Sequence, residues 1–126
     1  MTRITALATL LTAAALLTGC ADEYSIEFRY LTNAPPEVII DSERMQLPEG
    51  IAVGVEAIAV EDDHLIGAIV DFIPVRPGII GIDRGTQERT FVIYGMTVGA
   101  TSIDYYFDGE LIGNMPAEVI AQDASQ

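Results

Sequence analysis

The sequence predicts an all-β fold, an antiparallel β-sandwich of about seven short strands. Apolar and polar residues alternate with period two in several stretches, which is the pattern of a strand with one buried face. Residues that favour turns interrupt these stretches at intervals of about ten residues. No stretch after Cys20 has a convincing helical pattern. These three observations together favour a sandwich over a helical or mixed fold.

Residues 24–30 are the first predicted strand, because their aromatic and apolar residues alternate with Ser25, Glu27 and Arg29. Asn33-Ala34-Pro35-Pro36 follows and ends the pattern, since proline fixes φ and has no N–H to donate to a sheet. Two interpretations of residues 24–31 stay open. They either add an edge strand to the sandwich or pair with a partner protein by strand addition.

Residues 51–60 form a long predicted strand. Val53, Val55, Ala57 and Ala59 share one face in this interpretation, and the valines together with Gly54 favour a strand over a helix. Asp108-Gly109 is the sequence signal of a type I′ hairpin turn. The other predicted strands are residues 37–41, 44–47, 65–75, 79–82, 89–96, 101–107, 110–112 and 116–121.

The first 20 residues have the pattern of a cleaved signal. Arg3 precedes an uncharged run from Ile4 to Leu17, and small residues then lead to the only cysteine, Cys20. The run is shorter than the ~20 residues that a membrane-spanning helix needs, and no basic cluster follows it. A cleaved signal helix is therefore favoured over a retained transmembrane anchor.

Leu17-Thr18-Gly19-Cys20 resembles the lipobox of bacterial lipoprotein precursors. The resemblance implies cleavage between Gly19 and Cys20, and acylation of the Cys20 sulfur with palmitate-type chains. Two or more acyl chains hold a protein stably on a membrane. We therefore expect a lipid-anchored protein of the bacterial cell envelope; the alternative is an ordinary secretory signal with an incidental cysteine. Ala21, and not an aspartate, follows Cys20, which favours the outer membrane over the inner membrane.

The chain is strongly acidic, with 19 Asp and Glu residues against 6 Lys and Arg residues, and a formal net charge of −13. Removal of residues 1–19, which contain Arg3 and no acidic residue, makes the net charge −14. Binding to a phosphate backbone depends on clustered Lys and Arg, so nucleic acid is excluded as a partner. Solubility is the favoured explanation of the acidity, and an acidic docking face is the alternative.

Several short motifs follow one another in a distinctive order within residues 37–122. They are Leu47-Pro48-Glu49-Gly50, Val55-Glu56-Ala57, Val70-Asp71-Phe72 and residues 77–82 and 93–103. This order resembles the bacterial immunoglobulin-like domains of the group found in intimin-type surface proteins, and it implies an immunoglobulin-like sandwich. Phe72 stands where many members have a tryptophan. The stiffer Pro74-Val75-Arg76-Pro77 replaces their usual polar turn.

The predicted organisation has four parts. Residues 1–19 are the signal peptide, 20–36 the lipidated N-terminus with a short strand and a proline-rich linker, 37–122 the immunoglobulin-like sandwich, and 123–126 a tail.

Few residues of the sequence are suited to catalysis or to metal binding. His64 is the only histidine, and beside Glu61, Asp62 and Asp63 it is expected to be solvated. With Cys20 acylated, no thiol remains for catalysis or for zinc. Calcium is the better metal candidate, with Glu61-Asp62-Asp63 and either Asp83 or Asp108 as ligands, although no Asp-x-Asp-x-Asp-Gly loop is present. We expect no catalytic residue, cofactor or assembled metal site.

Four aromatic residues in the second half of the chain offer an alternative function. Tyr94, Tyr105, Tyr106 and Phe107 suit an aromatic platform for a carbohydrate, but strand alternation buries about half of such a set, so core packing is favoured.

The sequence thus predicts a non-catalytic, lipid-anchored envelope module with a structural or protein-interaction role. Its partners would be the membrane, through the lipid, and a protein. The alternatives are a calcium-assisted or carbohydrate-binding surface module, and an assembly or inhibitor protein that acts by strand pairing.

Overall fold

Ten strands form two β-sheets in the computed structural model, which describes residues 23–122. The strands are β1 (Tyr24–Tyr30), β2 (Ile39–Ile40), β3 (Met45–Pro48), β4 (Ala52–Glu61), β5 (His64–Leu65), β6 (Val70–Pro74), β7 (Ile80–Arg84), β8 (Thr90–Gly95), β9 (Gly99–Phe107) and β10 (Glu110–Ile120). The predicted signal peptide, the cleavage site at Gly19 and Cys20, the lipidation of Cys20 and the tail at 123–126 lie outside the described residues.

Sheet A has the strand order β1-β4-β8-β7, with the short β5 also paired to β4. Sheet B has the order β2-β3-β10-β9-β6. The predicted all-β sandwich is confirmed. Its pairings are antiparallel except for one, because β3 and β10 run parallel from Ala117↔Met45 to Ile120↔Pro48. The sequence pattern did not predict this pair, since its strands lie far apart in the chain and no turn motif connects them.

Alternation along the strands builds the core between the sheets. Val53, Val55, Ala57 and Ala59 of β4 are at most 1% exposed, as predicted for their shared face. Three aromatic rings meet at the centre, where Phe72 is stacked on Phe28 and lies edge-on to Phe91, with ring centroids 5.8 and 5.0 Å away. Phe72 thus contacts both strands β1 and β8 of the opposite sheet.

Strand β1 is an edge strand of sheet A, as the first of the two interpretations left open above has it. It pairs antiparallel with β4 along its whole length, from Tyr24↔Glu61 to Tyr30↔Val55. Ile26 is 1% exposed and belongs to the core, and Phe28 packs against it. Residues 24–30, predicted to lie in front of the sandwich at 37–122, are therefore part of it.

Two strand predictions differ from the structure. The predicted strands at 110–112 and 116–121 are one strand, β10, with an irregularity between Leu111 and Gly113. Pro116 fits within it because β10 pairs only with β9 up to that residue, and its pairing with β3 starts at Ala117. Conversely, the predicted strand at 65–75 is divided into β5 in sheet A and β6 in sheet B.

Two hairpins have turns with left-handed backbone. Asp108 and Gly109 have φ angles of 52° and 83°, as the predicted type I′ turn requires. Asp62 and Asp63, with φ angles of 48° and 65°, connect β4 and β5 in the same region of the backbone map. Aspartate tolerates this conformation better than most residues, so the acidic segment at 61–63 is a tight turn.

Candidate interaction surfaces

The open edge of β1 is the longest strand edge of the described sandwich. Sheet A ends at β1 on one side and at β7 on the other, and sheet B ends at β2 and β6. β1 has seven residues without proline, whereas β2 has two and β6 has five, the last of which is Pro74. A long edge without proline offers backbone N–H and C=O groups to another strand.

Opposite charges alternate on the outer face of β1. Arg29 forms an ion pair with Glu56 of β4, with Nη2 and Oε1 2.9 Å apart and 69% of the arginine side chain exposed. Glu27 is exposed and lies opposite Ile58 of β4. Within residues 23–122, Glu27 has no ion-pair partner. The strand therefore presents one carboxylate and one guanidinium, two residues apart, towards solvent.

A groove of about 360 Å³ runs beside this edge. Residues 25–28 of β1 line one wall, and Ile40, Asp41 and Ser42 line the other. The Tyr30 hydroxyl accepts a hydrogen bond from the Ile40 backbone N–H at 3.1 Å, which links β1 of sheet A to β2 of sheet B. The groove thus borders β1 along residues 25–28.

The opposite side of the sandwich has a cleft of about 330 Å³ between β6 and β7. Two arginines, Arg84 and Arg89, are among the residues that line it. Arg84 forms an ion pair with Asp71 and lies over the ring of Phe91, 5.4 Å from its centroid. Arg89 also lines the cleft, with a left-handed φ of 63°, and it has no ion-pair partner among residues 23–122. The sequence pattern did not indicate this cleft, because its residues come from separate loops and strands.

The carboxylates considered for calcium lie in three separate places, two of them turns. Asp62 Oδ1 accepts a hydrogen bond from the Glu23 backbone N–H at 3.0 Å, and Asp108 Oδ1 accepts one from the Ile69 N–H at 2.8 Å. Asp83 lies on β7 opposite Val92. In the part of the chain that the structure describes, no three His, Cys, Asp or Glu residues are grouped as a metal site. His64 is exposed at the start of β5.

The four aromatic residues considered for carbohydrate do not share a surface. Phe107 is buried and meets Tyr105 inside the sandwich, with ring centroids 6.2 Å apart. Tyr94 covers Gly81 on sheet A, where a Cβ on that glycine would lie 2.2 Å from the ring. Tyr106 lies opposite Leu111 and Asp71 in sheet B. The described structure thus forms no single platform from these rings.

Tyr94 has a charged neighbour that changes its ionisation. The negative charge of Asp83 raises the pKa of the Tyr94 phenol above its usual value of 10.0, with a smaller contribution from desolvation. A carboxylate disfavours a second negative charge beside it, so Tyr94 stays protonated to higher pH than a free tyrosine.

No helix within residues 23–122 combines the length and the apolar character needed to cross a bilayer.

Among known proteins, this chain shows similarity of fold only. No family model and no curated protein matches the chain. Among solved structures it is similar to domains 4 and 5 of the S-layer protein SbsC, with a TM-score of 0.51 and 13% identity over 75% of this chain and 54% of that one. The structure of S-layer protein rSbsC(31-844) matches with a TM-score of 0.51 and 12% identity, over 77% of this chain and 14% of that one.

The chain therefore spans about half of the two-domain S-layer structure and a small part of the longer one. At 12–13% identity the likeness shows the fold alone, a β-sandwich of the kind found in S-layer domains.

Proposed function

We propose that this chain is a non-catalytic, lipid-anchored module of the bacterial cell envelope, and that its sandwich has a structural or protein-interaction role. The observation that carries the proposal is the position of β1. This open-edged strand begins at Tyr24, four residues after Cys20. Acylation of Cys20 would hold the edge close to the membrane, where a second protein in the same envelope can reach it.

Three further features support the proposal. Leu17-Thr18-Gly19-Cys20 has the order of a lipobox, and the strong acidity of the chain disfavours nucleic acid as a partner. The solved structures with a similar sandwich are of an S-layer protein. From this likeness of fold we propose a structural role for the sandwich of this chain.

Metabolic labelling with a palmitate analogue tests the anchor. We expect label on the wild-type chain and none on Cys20→Ala, because Cys20 is the only cysteine. Separation of the two membranes on a density gradient should place the labelled protein in the outer membrane. Thr18→Ser is the matched control, since it keeps Gly19 and Cys20 and should be labelled like the wild type. An unlabelled wild type, or label on Cys20→Ala, contradicts the anchor.

Crosslinking in intact envelopes tests the interaction role. We expect the wild-type protein to be recovered in a discrete crosslinked species, and substitutions on the β1 edge to remove that species. Point substitutions are needed here, because deletion of the strand would also remove Ile26 and Phe28 from the core. Recovery of the monomer alone at several crosslinker lengths contradicts the proposed interaction.

A further inference from the structure

We propose that the open edge of β1 pairs antiparallel with β1 of a second copy of this chain, in the register that places Glu27 opposite Arg29 of the second copy. The inference rests on the proposed interaction role and names the partner of that edge. It joins the two copies of sheet A into one continuous sheet across a twofold axis.

The hydrogen bonds to β4 decide which backbone groups of β1 face outward. Leu31 donates its N–H to the Gly54 carbonyl, and Asp62 donates its N–H to the Glu23 carbonyl, each at 2.8 Å. Hydrogen-bonded positions alternate along an antiparallel pair, so the odd-numbered residues of β1 bond to β4. The backbone groups of Ile26, Phe28 and Tyr30 therefore point towards the open edge and would bond to the second copy.

The charges then select one register. In a twofold pair centred on Glu27, two glutamates face each other, and in a pair centred on Arg29 two arginines do. A pair centred on Ile26 sets Glu27 against Ser25. Only a pair centred on Phe28 sets Glu27 against Arg29, and twofold symmetry makes this contact twice. Like charges directly opposite destabilise a sheet and opposite charges stabilise it.

The second copy would complete the surroundings of both charged residues. Arg29 has Glu56 beside it on β4, so a glutamate from the second copy would approach from the other side of the guanidinium. Glu27 has Ile58 beside it on β4 and no ion pair among residues 23–122, and the second copy would supply a cation directly opposite it. The five N–H donors of arginine suffice for two carboxylates. Each β1 strand would also cover the exposed edge of the other.

The other edges suit this pairing less well. β2 has only two residues, and β6 ends in Pro74. β7 has its Arg84 side chain engaged with Asp71 of β6 across the gap between the sheets. The β1 edge has seven residues and no proline, and the groove of about 360 Å³ borders its residues 25–28.

The antiparallel arrangement has a consequence for anchoring. The twofold axis lies perpendicular to the sheet, so the two Glu23 ends point in opposite directions along it. A pair anchored in one membrane would therefore hold its β1 strands parallel to the membrane surface. Residues 20–23 reach at most roughly 13 Å when extended, which keeps the pair against the bilayer.

A charge exchange in the full-length protein tests the register. Copies with two different affinity tags are co-expressed, and their co-purification from detergent-solubilised envelopes is measured. In a pair of two Glu27→Arg copies, positive charges lie opposite each other at both contacts. In a pair of two Arg29→Glu copies, negative charges do so. We expect each variant to lose self-association by at least about tenfold, and the two variants together to recover it.

Glu118→Arg is the matched control for the charge exchange. It makes the same change of charge at an exposed position of β10 in sheet B, and it should co-purify like the wild type. Unchanged self-association of both β1 variants, or no recovery when they are mixed, would overturn the register.

Cysteine crosslinking provides a second test that keeps the fold. In the proposed register Glu27 and Arg29 form a non-hydrogen-bonded pair, whose Cα atoms lie about 4.5 Å apart, within disulfide range. Copies carrying Glu27→Cys and copies carrying Arg29→Cys should form a mixed disulfide on oxidation, in clear excess over either homodimer. The wild type, with Cys20 as its only cysteine, measures the background. Absence of the mixed disulfide overturns the proposal.

The two proposals can fail separately. Crosslinks to a different protein, without self-association, would overturn the β1 pair and support the interaction role. Self-association of a protein that is not labelled by palmitate would support the pair and contradict the lipid anchor.

Discussion

The ring of Phe28, on the first strand, stacks on the ring of Phe72, on β6, with centroids 5.8 Å and planes 25° apart. The contact joins the two sheets, because β1 belongs to sheet A and β6 to sheet B. It also makes the segment next to the predicted anchor a part of the core. A force or a partner acting on β1 would therefore act on the whole sandwich.

Phe28→Ala should destabilise the protein by about 2–3 kcal/mol, because it removes a half-buried ring and its stacking on Phe72. Urea unfolding followed by circular dichroism measures the change. Glu118→Ala, at an exposed position of β10, should change the free energy of unfolding by less than about 0.5 kcal/mol. A loss below about 1 kcal/mol for Phe28→Ala would show that β1 is only loosely attached.

Gly81→Ala should destabilise sheet A by about 1–3 kcal/mol, since the new Cβ would lie 2.2 Å from the ring of Tyr94. Tyr94→Ala removes that ring, so adding Gly81→Ala to Tyr94→Ala should cost much less than it does alone. Gly78→Ala is the control, because no atom lies within 4 Å of its Cβ position. Equal costs of Gly81→Ala in both backgrounds would rule out the close contact.

Arg84→Ala should cost about 1 kcal/mol of stability, because it removes the ion pair with Asp71 and the contact with the Phe91 ring. The expected cost is modest, because the side chains of Arg84 and Asp71 are 50% and 45% exposed. The cost of Arg84→Ala should be smaller at high salt, because salt screens the ion pair that the substitution removes. Arg76→Ala, at an exposed residue with no ion pair among residues 23–122, should have no measurable effect.

Tyr94 should titrate at higher pH than an ordinary tyrosine, because Asp83 raises its pKa above 10.0. A raised pKa in the folded state means that the folded protein holds this proton more tightly. The resulting stability is present below pH 10.0 and is lost as the pH rises through the folded-state pKa. Ultraviolet titration of Tyr94→Phe against the wild type identifies the signal.

Asp83→Asn should lower the pKa of Tyr94 towards 10.0, because it removes the neighbouring negative charge. An unchanged Tyr94 titration in Asp83→Asn would assign the shift to another cause. Asp104→Asn, on the other sheet, is the control and should leave the Tyr94 titration as in the wild type.

Local patterns predicted most strands well, and the misses have a common cause. Residues 51–60 alternate cleanly, and the buried face of β4 follows the prediction. Pro116 looked like a strand start because proline usually interrupts a sheet, but only one neighbour pairs with β10 at that point. Residues 65–75 were predicted as one strand, because the apolar pattern does not show where the chain passes from one sheet to the other.

The candidate surfaces depended still more on the three-dimensional arrangement. The sequence placed Glu27 and Arg29 on one face of a strand, and it left open whether that strand belonged to the sandwich. Arg84 and Arg89 were not recognised as a pair, because the cleft forms only when β6 and β7 of different sheets come together. Strand register decides which of the aromatic residues near position 105 face the core and which face outward. Composition alone does not contain this information.

The sequence alone determined the properties that depend on neighbouring residues: the all-β fold, the strand faces, the Asp108-Gly109 turn, the acidity and the lipobox-like order ending at Cys20. Tertiary structure alone decided the parallel contact of β3 with β10 and the place of β1 at the edge of sheet A. The reason is physical. Alternation and turn chemistry act over a few residues, whereas strand partners are chosen by burying apolar faces that lie far apart in the chain.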